Sequence, residues 1–293
     1  MEEMVELENF LYYCDAQYQQ ASPCQCGQAC TNNNYCRGAF TNCYACIKRV
    51  HNYNNNTTHY NCDKMIYCYA LKHGYRFAAE IFYLFQRVQR EIAQWDEIHI
   101  ASIGCGPCTE LFGALYHWRS LGKQDSHFHF RGFDLENLWR PIVSQIPLFF
   151  PGMDVHADIE DTFQHYHNQP EHVDVIVLNY MLSDMLKFHS GEYYNFLLTL
   201  CAMIRQVQPR YILVNDVYLK VSTIATERLL NCLTDQVLNY EFCKMQYHGL
   251  NTYIGQFGRS IARQPYSMPN QTIVDRYDPF RNVDSIQTII RLR

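Results

Sequence analysis

The chain has 293 residues, of which 48% are hydrophobic and 18% are charged, a composition that can bury a core and argues against disorder. Its formal net charge is −5, so no strong overall basic field exists to hold a nucleic-acid backbone, although net charge does not exclude a local basic face. No run of 18 apolar residues occurs, and the acidic start lacks the apolar segment of a secretory signal. We therefore expect a cytoplasmic protein with no membrane span.

The amino-terminal third predicts two helices on either side of a cysteine-rich segment. Apolar residues at helical spacing predict a short helix over residues 2–13. The same spacing predicts a longer helix over residues 63–93, which Gly74 could interrupt. Between them, residues 31–61 are rich in asparagine and poor in aliphatic residues. Such a stretch cannot bury enough apolar area to hold itself together, so it needs another source of folding energy.

Cysteine is the unusual feature of this segment, since nine of the 14 cysteines lie between Cys14 and Cys68. The odd number and the lack of a secretory signal count against disulfides. We therefore predict thiolates that bind a structural zinc ion, with an iron–sulfur cluster as the less favoured alternative. Only Cys43-x2-Cys46 has the spacing of a standard metal-binding pair. The predicted ligands are Cys24, Cys26, Cys30, Cys36, Cys43, Cys46, His51 and Cys62.

From residue 97 the pattern changes to alternating strands and helices, which predicts an open, mostly parallel α/β sheet of roughly seven strands. The predicted strands are 98–103, 127–133, 153–157, 173–178, 211–214, 242–247 and 253–257, and the predicted helices are 109–121, 138–146, 191–207 and 223–238. The last two strands are expected to form an antiparallel pair. We divide the chain into a cysteine-rich, zinc-binding and helical module (1–95), an α/β domain (96–258) and an irregular carboxyl-terminal extension (259–293).

Glycine or polar residues end four successive predicted strands. The first strand runs into Gly104-Cys105-Gly106, and two glycines let a ligand approach the backbone without a Cβ in the way. Asp134 ends the second strand, where a carboxylate can accept hydrogen bonds from ribose hydroxyls. Asp158 ends the third strand, and Asn179-Tyr180 ends the fourth. Each aspartate alone could be a helix cap, but the four features in order predict a nucleotide-like ligand at this edge of the sheet.

This arrangement resembles the class I, Rossmann-like S-adenosylmethionine-dependent methyltransferases over about residues 97–257. The resemblance implies S-adenosylmethionine as cofactor and the strand order 3-2-1-4-5-7-6, with the last strand antiparallel. It matches Gly104 and Gly106 to the family's glycine-rich loop, Asp134 to its ribose-binding acid and Asp158 to its adenine-side acid. The expected cofactor-binding residues are Ser102, Gly104, Cys105, Gly106, Asp134, Leu135, Asp158, Ile159 and Asn179.

The chemistry that the resemblance implies is direct displacement of an activated methyl group, which needs alignment and exclusion of water rather than a catalytic triad. Asn179 and Tyr180 are the predicted catalytic residues, because they fall at the family's fourth motif. Asp216, after the fifth strand, is expected either to face the acceptor or to cap a loop. Cys105 and Cys108 are expected to pack within the loop rather than act as nucleophiles.

Three functions stay open at this stage. The first is a methyltransferase whose acceptor is RNA, protein or a small molecule, with RNA or protein gripped by the zinc module. The second is an aminopropyl-type transferase that uses the same cofactor, because the Gly-x-Gly-Pro loop resembles that of nicotianamine synthases. The third is a non-catalytic scaffold that binds partners through the zinc module. The 13 histidines show no ligand spacing and are expected to be packed or solvated, and the oligomeric state is open.

Overall fold

The computed structural model of the chain describes residues 5–20, 43–44, 47, 63–248, 252–255, 260–262, 276–277 and 284–293. Before the sheet lie two long helices, α1 (Val5–Gln20) and α2 (Asp63–Arg87), and the short α3 (Gln89–Ile92). The helix predicted over residues 2–13 reaches Gln20, because Cys14 and Tyr18 also pack into the core. α2 runs through Gly74 without interruption, and Leu11 of α1 packs against that position.

Strands and helices then alternate as the sequence predicts. The strands are β1 (Ile98–Ile103), β2 (Phe128–Asp134), β3 (Asp154–Ile159), β4 (Val175–Asn179), β5 (Tyr211–Val217), β6 (Tyr240–His248), β7 (Thr252–Gly255), β8 (Ser260–Ala262) and β9 (Asp284–Leu292). The helices are α4 (Thr109–Ser120), α5 (Arg140–Val143), α6 (Thr162–Asn168), α7 (Leu182–Phe188), α8 (Tyr193–Val207) and α9 (Lys220–Asp235). The single helix predicted over residues 138–146 is instead α5 between two 3-10 turns, since Pro147 cannot donate the bond that would continue it.

The order of strands within the described sheet is β3-β2-β1-β4-β5-β9-β6-β7-β8. β1 to β5 pair in parallel, whereas β9 is antiparallel to both of its neighbours, β5 and β6. The first seven positions therefore reproduce the expected order 3-2-1-4-5-7-6 with one antiparallel strand. This confirms the predicted open, mostly parallel, Rossmann-like α/β sheet.

The identity of the antiparallel strand differs from the prediction. The two strands predicted at 242–247 and 253–257 are found as the hairpin of β6 and β7, with residues 256 and 257 outside the described residues. β7 lies outside β6 rather than between β5 and β6. The position between β5 and β6 belongs to β9. The prediction of an irregular extension over residues 259–293 is therefore wrong for residues 260–262, which form β8, and for residues 284–292. Residues 285–290 are all buried, because β5 and β6 flank them and the helices cover both faces. That burial comes from distant parts of the chain and leaves no signal in the local sequence.

Two apolar layers enclose the sheet. On one face α1, α2 and α4 pack against β1 and β2, and on the other face α6, α8 and α9 pack against β4 and β5. The first layer joins both sides of the predicted boundary at residue 95; the rings of Phe10 and Phe112, for example, lie 5.2 Å apart. The predicted domain boundaries stay predictions. In the described part of the chain, no helix is both long and apolar enough to span a bilayer.

Gly113 sets how closely α2 approaches α4. A Cβ at Gly113 would lie 2.2 Å from the carbonyl oxygen of Ala78 and 3.0 Å from the backbone nitrogen of Phe82. Only the hydrogen of a glycine leaves room for the two helix backbones to touch. This contact brings α2 against the sheet and places its aromatic residues beside the ends of β1 and β4.

Candidate functional site

A cleft opens where the polypeptide leaves β1, β2 and β4, at the carboxyl ends of these parallel strands. It is a concave cleft, partly open to solvent, and it has the mixed apolar and polar lining that is usual for small-molecule sites. The lining residues come from the loops after these strands, from α2 and from α7: Tyr69, Phe77, Gly104, Cys105, Gly106, Pro107, Thr109, Asp134, Glu136, Trp139, Asn179, Tyr180, Met181, Asp184, Met185, Phe188 and His189. Of the predicted site residues, Gly104, Cys105, Gly106, Asp134, Asn179 and Tyr180 are therefore brought together.

The loop after β1 forms one wall of the cleft. Gly104 and Gly106 have φ angles of +67° and +48°, in the left-handed region that side chains disfavour. A Cβ at Gly104 would lie 2.8 Å from Cγ of Met181, so a side chain there would also displace a lining residue. The backbone nitrogen of Cys105 donates to the carbonyl oxygen of Phe133 (2.9 Å), which ties the loop to β2. The loop is thus a close-approach surface that only glycine can supply at residue 104.

Asp134 holds this loop from the neighbouring strand. Its Oδ2 accepts a hydrogen bond from the backbone nitrogen of Gly106 (2.8 Å), and its Oδ1 accepts one from the backbone nitrogen of Glu136 (2.8 Å). Burial raises the pKa of Asp134 to about 6. The predicted ribose-binding acid therefore lines the cleft and also fixes the geometry of the glycine loop.

The remaining predicted cofactor residues lie beside the cleft rather than in its lining. Ser102 is fully buried in β1, and its hydroxyl donates to Glu110 of α4. Asp158 and Ile159 end β3 in register with Phe133 and Asp134, one strand further out. Leu135 is 73% exposed. The cofactor roles of these four residues stay predictions.

Glu110 was missed by the sequence analysis. Its side chain is buried, receives the Ser102 hydroxyl and lies 3.5 Å from Nδ2 of Asn179. Burial raises the pKa of Glu110 to about 7. The sequence signal for Glu110 was its position in the first turn of α4, directly after the glycine loop. An acidic residue in the first turn of a helix is common because it interacts favourably with the helix dipole, so this position alone does not indicate a site residue.

Tyr180 has a strained backbone and a fully engaged hydroxyl. Its φ is +56°, an uncommon conformation for a bulky residue. The hydroxyl donates to Oε2 of Glu80 in α2 (3.0 Å) and accepts from Arg76, whose Nε also binds Oε1 of Glu80 (3.1 Å). Nδ2 of Asn215 reaches Oε2 of Glu80 (2.8 Å), and Nε2 of Gln287 reaches Oδ1 of Asn215 (3.0 Å). We call these five side chains, of which all but Tyr180 are buried, the Glu80 network.

This network bears on the predicted catalytic role of Tyr180. Burial raises the pKa of its hydroxyl well above the ordinary value, and the hydroxyl's partners are groups of the protein itself. The ring of Tyr180 lines the cleft and stacks on Phe77 of α2, with centroids 4.1 Å apart. Asn179 also lines the cleft, and its Oδ1 accepts from Nδ2 of Asn215 (2.9 Å). The contacts suit both residues to shaping the cleft, and their catalytic roles stay predictions.

Aromatic side chains of α2 continue this wall. His73 stacks on Phe77 with centroids 5.2 Å apart, and Tyr69 lies edge-on to Trp139 at 5.4 Å. Phe77 lies in the helix that apolar spacing predicted over residues 63–93, and that spacing is equally typical of a helix that only packs against a core. Helical spacing shows which residues share a face, but not that part of this face overhangs a cleft.

The opposite wall is α7, which the sequence did not predict. Asp184, Met185 and Phe188 project from it, and His189 follows its end. Asp216 holds the start of this helix, because its carboxylate accepts from the backbone nitrogen (2.8 Å) and the hydroxyl (2.6 Å) of Ser183. Burial raises the pKa of Asp216 to about 7. Of the two roles expected for Asp216, the structure shows the cap.

The cysteines near the cleft are packed. Sγ of Cys105 and Sγ of Cys108 lie 3.3 Å apart, both side chains are buried, and burial raises the pKa of Cys105 well above its ordinary value. This fits the expected packing role, since a thiol with a raised pKa is a poor nucleophile.

Seven of the eight predicted zinc ligands, all except Cys43, lie outside the described residues. Cys43 is buried, and the hydroxyl of Tyr18 donates to its sulfur at 3.3 Å. The zinc site therefore stays a prediction.

The strand order and the cleft at its switch point define a Rossmann-like fold of the methyltransferase type. No protein-family model matches the sequence, and no curated protein matches it. Similar solved structures include the precorrin-6y C5,15-methyltransferase from Geobacter metallireducens GS-15, with 12% identity, a TM-score of 0.40 and coverage of 68% of this chain and 82% of that one.

Two further similar structures can be compared in the same way. A SAM dependent methyltransferase from Archaeoglobus fulgidus has 12% identity, a TM-score of 0.36 and coverage of 71% of this chain and 92% of that one. The plantazolicin methyltransferase BpumL, in complex with a triazolic desmethylPZN analog and SAH, has 12% identity, a TM-score of 0.41 and coverage of 99% and 98%. Because identities and TM-scores are this low, function has to be argued from the cleft itself.

Proposed function

We propose that this protein is an S-adenosylmethionine-dependent methyltransferase that binds its cofactor in the cleft. The observation that carries the proposal is the glycine loop after β1, whose left-handed Gly104 leaves a space that a Cβ would fill, opposite the buried carboxylate of Asp134. In open α/β sheets this switch point is where nucleotide-like ligands bind. The mixed polar and aromatic lining suits such a ligand.

The lining residues divide into two parts by position. The nucleoside side of the cofactor would lie against Gly104, Gly106, Asp134 and Glu136. The glycine backbone would allow the cofactor to approach closely, and the carboxylates could accept hydrogen bonds from the ribose hydroxyls. α7 and the α2 aromatic residues would enclose the acceptor side. When bound, the cofactor supplies an already activated methyl group, so the chain's own task is to align an acceptor and exclude water.

The charge of the lining bears on the acceptor. Three carboxylates, those of Asp134, Glu136 and Asp184, line the cleft, and its described lining contains no lysine or arginine. A negative lining disfavours a phosphate close to the reacting group and favours a neutral or cationic acceptor. The acceptor molecule is not assigned among RNA, protein and small molecules, and gripping of RNA or protein by the cysteine-rich segment stays part of the proposal.

The proposal is tested by titrating the full-length, metal-replete protein with S-adenosylmethionine in a calorimeter. Gly104→Ala should weaken binding more than tenfold, because the added Cβ meets Met181 in the cleft. Gly122→Ala is the matched control: Gly122 also has a positive φ (+73°) but has no neighbouring atom within 4 Å. Both variants should lose about 1–2 kcal/mol of stability from the left-handed conformation, yet Gly122→Ala should keep the parent affinity.

Failure of the folded parent protein to bind the cofactor at millimolar concentration would refute the proposal. If binding occurs, the product formed with labelled cofactor distinguishes the reactions. S-adenosylhomocysteine is the product expected of methyl transfer, whereas methylthioadenosine would identify the aminopropyl-type reaction instead.

A further inference from the structure

Two histidines stand side by side at the amino-terminal ends of β1 and β2. His99 and His129 are register partners in the parallel pair, and their rings are stacked, with centroids 4.2 Å apart and an interplanar angle of 4°. His99 precedes the last residue of β1 by four positions, or about 13 Å along a strand. The pair therefore lies well away from the cleft, which begins after that last residue.

Glu97 completes a three-residue group with this pair. Its Oε1 lies 3.5 Å from Nε2 of His99, and its Oε2 lies 3.9 Å from Nε2 of His129. The three ligand atoms all fall within 4.8 Å of one another. Around a tetrahedral zinc ion with bonds of about 2.0 Å, ligand atoms are roughly 3.3 Å apart. A small contraction, with rotation of the two rings about their Cβ–Cγ bonds, would bring all three atoms onto one ion.

Asp154 supplies the outer partner that metal-binding histidines usually have. Its Oδ2 lies 2.7 Å from Nδ1 of His129, and Nη1 of Arg131 donates to its Oδ1 at 2.8 Å. A carboxylate at Nδ1 keeps the ring proton on that nitrogen, so Nε2, which faces Glu97, is left with its lone pair.

The surrounding charge suits a divalent cation. Four carboxylates and two guanidinium groups lie in this cluster, which gives a formal charge of −2 with neutral histidines: Glu97, Asp154, Glu171 and Asp174 against Arg131 and Arg210. Each guanidinium is already within 3.5 Å of a carboxylate, so neither needs to approach the proposed ion.

We propose that Glu97, His99 and His129 form a binding site for a divalent transition-metal ion of the zinc class, separate from the cysteine-rich segment. Two imidazoles and one carboxylate are ligands that zinc accepts, and the exposed side of Glu97 leaves the fourth position to water. The ion would link the turn before β1 to the amino-terminal ends of β1 and β2. The proposal differs here from the sequence analysis, which expected these histidines to be packed or solvated.

The test uses Co²⁺ as the probe, added to the full-length protein. Cobalt bound by nitrogen and oxygen gives ligand-field bands in the visible region without thiolate charge transfer, so this site can be told apart from any cysteine site in the same chain. His99→Gln and His129→Gln should each remove one bound equivalent together with the nitrogen–oxygen component of the spectrum. His167→Gln, an exposed histidine on α6, is the matched control and should change neither.

Two more variants guard against a mere loss of folding. Glu97→Gln changes a side chain that is more than half exposed, so it should leave the circular dichroism unchanged while weakening Co²⁺ binding. Asp154→Asn should weaken binding about 10–100-fold by removing the outer partner of His129. Equal stoichiometry and equal spectra in the parent, His99→Gln and His129→Gln would overturn the proposal and leave the three side chains as an ordinary polar cluster.

Discussion

Tyr180 is where the cleft meets the buried polar groups behind it. Its ring faces the cleft while its hydroxyl belongs to the Glu80 network. Replacement by phenylalanine keeps the ring and removes only the hydroxyl. We expect Tyr180→Phe to bind S-adenosylmethionine with nearly the parent affinity, but to lose about 1–3 kcal/mol of stability because Glu80 and Arg76 each lose a buried partner.

Urea unfolding monitored by circular dichroism, together with calorimetry of cofactor binding, measures both effects. The opposite pattern, with unchanged stability and a large loss of turnover once an acceptor is known, would show that the hydroxyl acts in catalysis, as the sequence analysis predicted. A loss of stability alone identifies the hydroxyl as structural, and a loss of turnover alone identifies it as catalytic. The unfolding measurement shows in each case whether the fold has changed.

Asp134 makes cofactor affinity depend on pH in a defined direction. Its pKa is raised to about 6, so the carboxylate is charged above that value and protonated below it. The charged form accepts two backbone hydrogen bonds and would accept those of a ribose, so the bound complex should favour ionisation. We expect affinity to be constant above pH 6 and to fall by up to about tenfold per unit below it.

Calorimetric titrations of cofactor between pH 5 and 8 check this expectation. Asp134→Asn cannot ionise, so its affinity should be lower at pH 7 and nearly independent of pH over the same interval. An equally steep fall in the variant would assign the titration to another group.

At the scale of elements, the crossing of α2 and α4 determines whether the aromatic wall reaches the cleft. A Cβ at Gly113 would lie 2.2 Å from the carbonyl oxygen of Ala78, so the two helices must separate to admit it. Helix propensity alone would make Gly113→Ala stabilising by about 1 kcal/mol. We expect the reverse, a loss of about 1–3 kcal/mol from overpacking, together with weaker cofactor binding as Phe77 moves off Tyr180.

Gly191→Ala is the matched control, because a Cβ there has no neighbour within 4 Å. Its stability should change by no more than about 0.5 kcal/mol. Chemical denaturation of both variants measures the difference. A stabilised Gly113→Ala protein would contradict the close contact of the two backbones.

The elements also show what the sequence could and could not predict. β1, β4 and the glycine loop were predictable, because short runs rich in Ile and Val predict strands, and Gly104 and Gly106 directly after the first run are a local pattern. The place of β9 was not, because its burial depends on β5 and β6. The same holds for the site: Asp134 was visible as a strand-ending acid, whereas the contact of Glu80 with Tyr180 joins residues 100 positions apart.

For the whole molecule, α2 and the last described strand, β9, meet behind the cleft. Gln287 of β9 donates to the backbone oxygen of Glu80 (2.9 Å) in α2 and to Asn215 of β5 (3.0 Å). Helix α2 and the carboxyl-terminal strand thus share one hydrogen-bonded network with the strands that form the cleft. Substitutions in α2 or β9 that disturb this network should therefore alter cofactor binding.

A fragment of residues 96–293 tests whether the sheet and its cleft need residues 1–95 in order to fold. Removal of residues 1–95 would expose the apolar faces of α4, β1 and β2, including Phe112 and Leu115, and would leave Asn215 and Tyr180 without Glu80. We expect the fragment to show no cooperative thermal unfolding and no cofactor binding, whereas the full chain shows both. A fragment that melts cooperatively and binds S-adenosylmethionine would establish residue 95 as a true domain boundary, with the helices of residues 1–95 only resting on a domain that is already complete.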